Sequence, residues 1–248
     1  MDLTHFLYAI LSGLLPPLLW LGFWLREDNL HPNPRRVIFG CFLMGMGAVL
    51  LSLILQLSFD PFIHSIALQF NYSDDATKYV IFAAIEEMAK FLAAYIVAFH
   101  AIEMDEPVDA MIYLITVALG FAALENTLFV MKSYYAGTVF IGDVTQAVST
   151  GNMRFIGATL LHVVASSCVG IAIGLNFYKP KIMRFVFGIV GLTAGIALHS
   201  TFNLSIIKTM VGDTTGTLKV FAWVWCSVII LLVCFEEVKA VKPKIKQA

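Results

Sequence analysis

The sequence predicts an all-α fold, a polytopic transmembrane bundle of about seven spans. Three observations lead there. Of the 248 residues, 59% are apolar and only 13% are charged, against about 25% charged in an ordinary soluble domain. The mean hydropathy is +0.84. The apolar residues gather into seven stretches, each near the roughly 20 residues that a helix needs to cross a hydrocarbon core of about 30 Å. This composition excludes a disordered chain and a disulfide scaffold and argues against a soluble enzyme. The net charge of −1 leaves no basic footprint, so no nucleic-acid partner is expected. The expected surroundings are a lipid bilayer, in the plasma (inner) membrane.

The first span is expected over 5–25. It contains Pro16 and Pro17, which predict a kink. The N-terminus lacks the basic region of a signal peptide, so this span is expected to be retained. The second covers 37–57. The third, 79–99, is joined to the fourth, 108–131, by a tight acidic turn, Ala101-Ile-Glu-Met-Asp-Glu-Pro107. The fifth, 155–177, carries Gly170-x-x-x-Gly174, and the sixth, 184–207, carries Gly191-x-x-x-Gly195. Small-xxx-small spacing lets membrane helices pack closely. The seventh, 219–235, is short. Longer connections are expected at 58–78 and 132–154, as solvated loops or as a lid at the membrane surface. Cys41, Cys168, Cys226 and Cys234 all fall in apolar stretches and form no Cys-x-x-Cys pair. No repeat divides the chain, so 1–248 reads as a single integral membrane domain.

Loop charge predicts orientation. Arg26, Arg35, Arg36, Lys179, Lys181, Arg184, Lys239, Lys242, Lys244 and Lys246 fall on one side. Lys78, Lys132, Arg154, Lys208 and Lys219 fall on the other. The richer side is expected to be cytoplasmic, with the C-terminus inside and the N-terminus outside.

The informative residues are polar groups within spans, because an intramembrane charge costs several kcal/mol unless it is paired or hydrated and such residues usually mark function. They are Glu86, Glu87 and Lys90 in the third span, Glu125 and Asn126 in the fourth, His162 in the fifth, and His199 and Asn203 in the sixth. At about 1.5 Å of rise per residue, Glu86, Glu125, His162 and His199 lie about 9–12 Å from the outer ends of their spans. Four successive helices therefore place an ionisable group in one layer. Glu86 and Lys90 are i,i+4, as are His199 and Asn203, so each pair is expected to share a helix face. Ala83, Ala89 and Ala93 line the face around Glu86 and allow close approach. Gly195 lies one turn before His199, and tight packing there would bring His162 and His199 together.

Taken singly, each polar residue has a structural explanation: Lys90 as a counter-charge, Asn126 and Asn203 as interhelical hydrogen bonders. The whole set exceeds what helix adhesion requires. A carboxylate beside a histidine can activate water as a general base, and a neighbouring His or Asn donor can hold a developing oxyanion. Two His with one or two Glu can instead hold Zn²⁺, with Glu86, Glu125, His162 and His199 as the ligand candidates. Both arrangements hydrolyse amides. No His-Glu-x-x-His motif occurs, so a metal site would be assembled from separate helices. Ser166, Ser167 and Ser200 lack a Gly-x-Ser-x-Gly elbow and read as ordinary membrane-helix serines. A different class, a proton-coupled transporter using the Glu/His/Lys layer as a relay, is the alternative. Against it stand the absence of an inverted repeat and the position of the layer off the midplane.

Glu86-Glu87-Met-Ala-Lys90 resembles the Glu-Glu-x-x-Lys motif of the PrsW family of intramembrane proteases. Phe121-Ala-Ala-Leu-Glu125-Asn126 is similar to its second motif, His162 to its third and His199-Ser-Thr-Phe-Asn203 to its fourth. The four stand in order on successive spans and define a catalytic core over 79–207. The wider superfamily of CAAX prenyl proteases and bacteriocin-processing proteins is more distantly similar: those relatives carry Arg one position after Lys90 and His in place of Glu125. The resemblance implies cleavage of a single-span membrane-protein substrate, such as an anti-sigma factor, near the outer membrane face. On this reading Glu86 activates water and His162 orients or shares it. His199 and Asn203 stabilise the oxyanion. Glu87 and Glu125 are secondary carboxylates, or ligands where zinc is bound. Lys90 keeps the first carboxylates ionised, and Asn126 supports the second motif.

Overall fold

The computed structural model describes residues 3–27, 33–99, 102–135, 157–209 and 214–243. Among them the regular structure is entirely helical: α1 (Leu3–Glu27), α2 (Arg35–Phe59), a 3-10 turn (Asp60–Phe62), α3 (Ile63–Phe70), α4 (Asp74–Val97), α5 (Asp109–Tyr135), α6 (Ala158–Gly174), α7 (Lys181–Thr209) and α8 (Thr214–Lys239). The seven long helices coincide with the seven expected spans. Five stretches are long and apolar enough to cross a membrane by length and composition: α1, α2 with its continuation to Phe70, and parts of α5, α7 and α8. Helix α4 has the length, but Asp74, Asp75, Lys78, Glu86, Glu87 and Lys90 reduce its hydropathy. Helix α6 is apolar and shorter, at 17 residues.

Helix α5 is the axis of the bundle. Every residue from Ala110 to Ala123 is buried, as expected of a helix that is apolar on all sides. It packs against α1, α2, α4 and α6, while α7 lies across α4 and α6 and α8 closes the bundle on α6 and α7. Small residues permit these approaches. A Cβ on Gly45 of α2 would stand 2.1 Å from the Val117 carbonyl oxygen of α5, and one on Gly120 of α5 would stand 2.0 Å from that of Phe42. The two GxxxG pairs divide their work. Gly191 and Gly195 press α7 onto the α6 backbone at Cys168 and Ala165, whereas Gly170 and Gly174 face α5 and the turn before it, at Met111 and Pro107.

Helix α1 runs through Pro16 and Pro17, where a kink is expected, as one helix. Two local features differ from the sequence expectation. Helix α8 runs 26 residues, longer than the expected span, because Glu236, Glu237 and Lys239 extend it beyond the apolar run. The connection 58–78 is ordered rather than a plain loop. It holds the 3-10 turn and α3, whose Ile63 and Ala67 are buried while Phe62, Leu68 and Phe70 are exposed. Asn71 ends α3 in the left-handed conformation (φ 57°), and Ser73 caps α4 by accepting the Ala76 N–H at 3.2 Å, as N-cap serines do. Lys78 pairs with Asp60 at 2.7 Å and His64 with Asp74 at 3.0 Å. Most of the connection 132–154, with Arg154, lies outside the described residues.

At the opposite end the acidic turn is tied down. The Asp109 carboxylate accepts the backbone N–H groups of Asp105 (3.0 Å) and Glu106 (2.7 Å) and the Asn33 amide (3.0 Å). Arg36 pairs with Glu103, which lowers the Glu103 pKa. The Tyr113 hydroxyl donates to the Glu103 carbonyl. These bonds fix the turn between α4 and α5 and the point where α5 begins.

Candidate active site

Four helices bring the ionisable layer together. On α4, the small side chains Ala83, Ala89, Ala93 and Ala94 are buried, so neighbouring helices approach close enough for the adjacent polar groups to meet. Lys90, on the same helix, is completely buried. Its ammonium donates to Glu87 Oε1 at 2.6 Å, contacts His162 Nδ1 at 2.8 Å and stands 4.6 Å from the Phe121 ring centroid. Of the two adjacent glutamates, Lys90 pairs with Glu87, at i,i+3. Glu87 points into the bundle toward α6 and α7, where the buried cation lies.

Glu87 is the hub. Its Oε1 also contacts His199 Nδ1 at 2.7 Å, and its Oε2 accepts the Ser166 hydroxyl at 2.9 Å. His162 Nε2 lies 3.0 Å from Glu125 Oε2. The two imidazoles meet edge to face with centroids 5.1 Å apart, and Phe121 packs on the His162 ring at 5.2 Å. Glu86 faces differently. Its Oε1 accepts the Gln56 amide of α2 at 2.9 Å. Its Oε2 is buried with no hydrogen-bond partner and stands 3.6 Å from His199 Nε2. Asn126 donates to Thr159 at 3.1 Å, joining α5 to α6. Asn203 is half-buried one turn beyond His199, and among the described residues no hydrogen bond ties it to the cluster.

The hydrogen bonds set the tautomers. An ammonium on His162 Nδ1 leaves Nε2 to donate to Glu125. A proton on His199 Nδ1 facing Glu87 leaves the Nε2 lone pair directed at Glu86 Oε2, so two acceptors oppose each other. One oxygen or nitrogen from each of Glu86, His162 and His199 lies within 4.8 Å of the others, a donor set of the kind catalytic zinc uses. Glu125 stands outside that group and bonds to His162. Three carboxylates and one ammonium in one layer, with Glu87 and Lys90 buried and Glu86 and Glu125 partly so, leave two negative charges in excess when all are ionised, which a divalent cation would balance. The orphaned oxygen, the opposed lone pair and this charge all fit a metal ion.

Sequence reasoning did not single out Gln56, Ser166 or Thr159 as part of the site. The available signal for Gln56 was an amide within an otherwise apolar span. Ser166 carried none, since membrane helices commonly contain serines bonded to their own backbone.

A helical bundle that buries glutamates and paired histidines within spanning helices, with donors suited to water activation, has the ground plan of an intramembrane hydrolase. The comparisons with known proteins agree. Residues 33–234 match the family described as PrsW family intramembrane metalloprotease, and the chain belongs to that family. It is 28% identical over 173 residues to Protease PrsW of Geobacillus kaustophilus, an alignment covering 69% of this chain and 66% of that protein, just under two thirds of its length. It is 22% identical to Protease PrsW of Shouchella clausii, covering 78% of this chain and 81% of the relative. It is 24% identical to Protease PrsW of Oceanobacillus iheyensis, covering 76% and 80%. No solved structure matches the fold.

Proposed function

We propose that this chain hydrolyses a peptide bond of a membrane-anchored protein close to the outer membrane face, with Glu86 Oε2 as the group that meets the attacking water. The observation that carries this reading is a buried carboxylate oxygen without a partner, within reach of two histidines. Such an oxygen costs free energy where it stands, and a water or a bound ion between it and His199 Nε2 would relieve that cost.

The residues divide the work by what each touches. Glu86 takes a proton from water as a general base. His199 is held by Glu87 through Nδ1, so its Nε2 faces the pocket. When protonated, that nitrogen donates to the carbonyl oxygen as it gains charge, together with the Asn203 amide. His162 is clamped between Lys90 and Glu125, and this chain can deliver a proton to the leaving amine. Glu125, with 28% of its side chain exposed, is the carboxylate nearest water. Glu86 Oε2 and His199 Nε2 would hold a divalent metal, zinc by their chemistry, with His162 as a third ligand once its Nε2 releases Glu125. A metal bound there acidifies water and polarises the scissile carbonyl.

The loop charges support placing the N-terminus outside and the C-terminus in the cytoplasm, which puts the pocket toward the outer leaflet. A single-span substrate, for example an anti-sigma factor as the resemblance implies, presents its cleavage site at that depth. The test is hydrolysis of a tagged single-span protein by the purified chain in proteoliposomes, with and without chelator. Glu86→Gln and His199→Ala are each expected to slow cleavage by about 100-fold or more. Wild-type rates in both variants would end the assignment. Loss on chelation, restored by zinc, would identify the metal route, and undiminished activity would identify glutamate activation alone.

A further inference from the structure

Gln56 lies three residues from the end of α2, outside the stretch 79–207 that carries the four motifs. Its Nε2 donates to Glu86 Oε1 at 2.9 Å. Among the described residues this is the hydrogen bond Glu86 receives, because Lys90 is engaged by Glu87 and His162 and Glu86 Oε2 has no partner. The terminal torsion of a glutamate is broad, so the plane of an unrestrained carboxylate would swing. One donor on Oε1 removes that freedom and leaves Oε2 facing His199 Nε2 at 3.6 Å. A neutral amide does this without neutralising the carboxylate, which a second lysine would do.

We infer that Gln56 is a positioning residue for the reaction: its amide holds the Glu86 carboxylate so that Oε2 is presented to the pocket. This rests on the reading of Glu86 given above, and it applies whether Oε2 meets water or a metal ion. It brings α2 into the active site, although α2 contributes none of the motif residues.

The experiment uses the full chain in proteoliposomes with the tagged single-span substrate. Gln56→Met keeps the length and removes the donor. The expected result is a kcat lower by about 10–100-fold, the loss typical when an outer partner of a catalytic group is removed. KM should stay within about twofold, as for an interaction that matters in the transition state. Ser52→Ala, one turn earlier on α2 and buried with an unpartnered hydroxyl, should match wild type and controls for disturbance of the helix. On a Glu86→Asp background, whose carboxylate is too short to reach Gln56, Gln56→Met should cost nothing more. A Gln56→Met kcat within about twofold of wild type would overturn the inference, as would an equal loss in the Glu86→Asp background. Should Gln56→Met not fold, Gln56→Ala takes its place with the same criteria. If Glu86→Gln cleaves normally, the reading of Glu86 itself fails. If Glu86→Gln is inactive while Gln56→Met is normal, the positioning role alone fails.

Discussion

Successive residues on a helix point about 100° apart, and that angle gives Glu86 and Glu87 different tasks. Glu87 turns into the bundle, where a fully buried lysine, a serine and a histidine satisfy it. Glu86 turns toward α2 and the pocket and keeps one oxygen unpartnered. Glu87 is therefore expected to matter for stability as well as for orienting His199. Breaking a buried ion pair from one side strands the other charge and costs about 3–5 kcal/mol. Glu87→Gln and Lys90→Met should each destabilise the protein by about that amount in chemical unfolding in detergent. The double variant should lose less than the sum, because neither charge is then stranded. Strictly additive losses would show that the two do not form one unit. Sequence spacing named both glutamates and the lysine. It could not say which glutamate receives the lysine, because i,i+3 and i,i+4 partners are both within reach on a helix.

At the scale of helices, close backbone approach sets where the site residues stand. Gly45 and Gly120 bring α2 against α5, and Gly195 brings α7 against α6 at Ala165, one turn from His199. Gly45→Ala or Gly120→Ala should cost about 1–3 kcal/mol, because the added methyl overlaps a backbone carbonyl that cannot rotate aside. Gly47→Ala, with nothing within 4 Å of the added atom, should be neutral or gain up to about 1 kcal/mol from better helix propensity. Equal effects at all three positions, measured by unfolding, would show that the close contacts do not govern packing. Gly195→Ala should lower kcat as well as stability, since it would part the helices that carry His162 and His199. Loss of stability with kcat unchanged would argue that the pairing of the two imidazoles is not needed. The GxxxG spacing was legible in the sequence, but its direction was not. Gly191 and Gly195 join α6 to α7, whereas Gly170 faces α5 and Gly174 faces Val238 of α8 and Pro107.

For the whole molecule, the asymmetry of loop charge predicts that a C-terminal tag is protected, and an N-terminal one accessible, in right-side-out vesicles treated with protease. The reverse pattern would put the ionisable layer in the cytoplasmic leaflet and change the class of substrate segment it could reach. The layer itself would survive that inversion, because Glu86, Glu125, His162 and His199 are tied to one another by contacts within the bundle. The short α3 and the Ser73 cap fix the start of α4, while at the opposite end of the bundle the bonds around Asp109 fix the start of α5.

The sequence alone determined the class of protein, the number and order of the long apolar helices and the presence of an ionisable layer shared by four of them. Hydropathy and helix rise accumulate along a chain, so these properties can be read without knowing any contact between helices. Tertiary structure alone decided the pairings: Lys90 with Glu87, His199 between two glutamates, His162 between Lys90 and Glu125, and Gln56 on the oxygen of Glu86 that faces away from the pocket. Those depend on how each helix is rotated about its own axis and on which side chains meet across 30 or more positions of sequence. Packing of the whole bundle sets that rotation, and no local pattern encodes it.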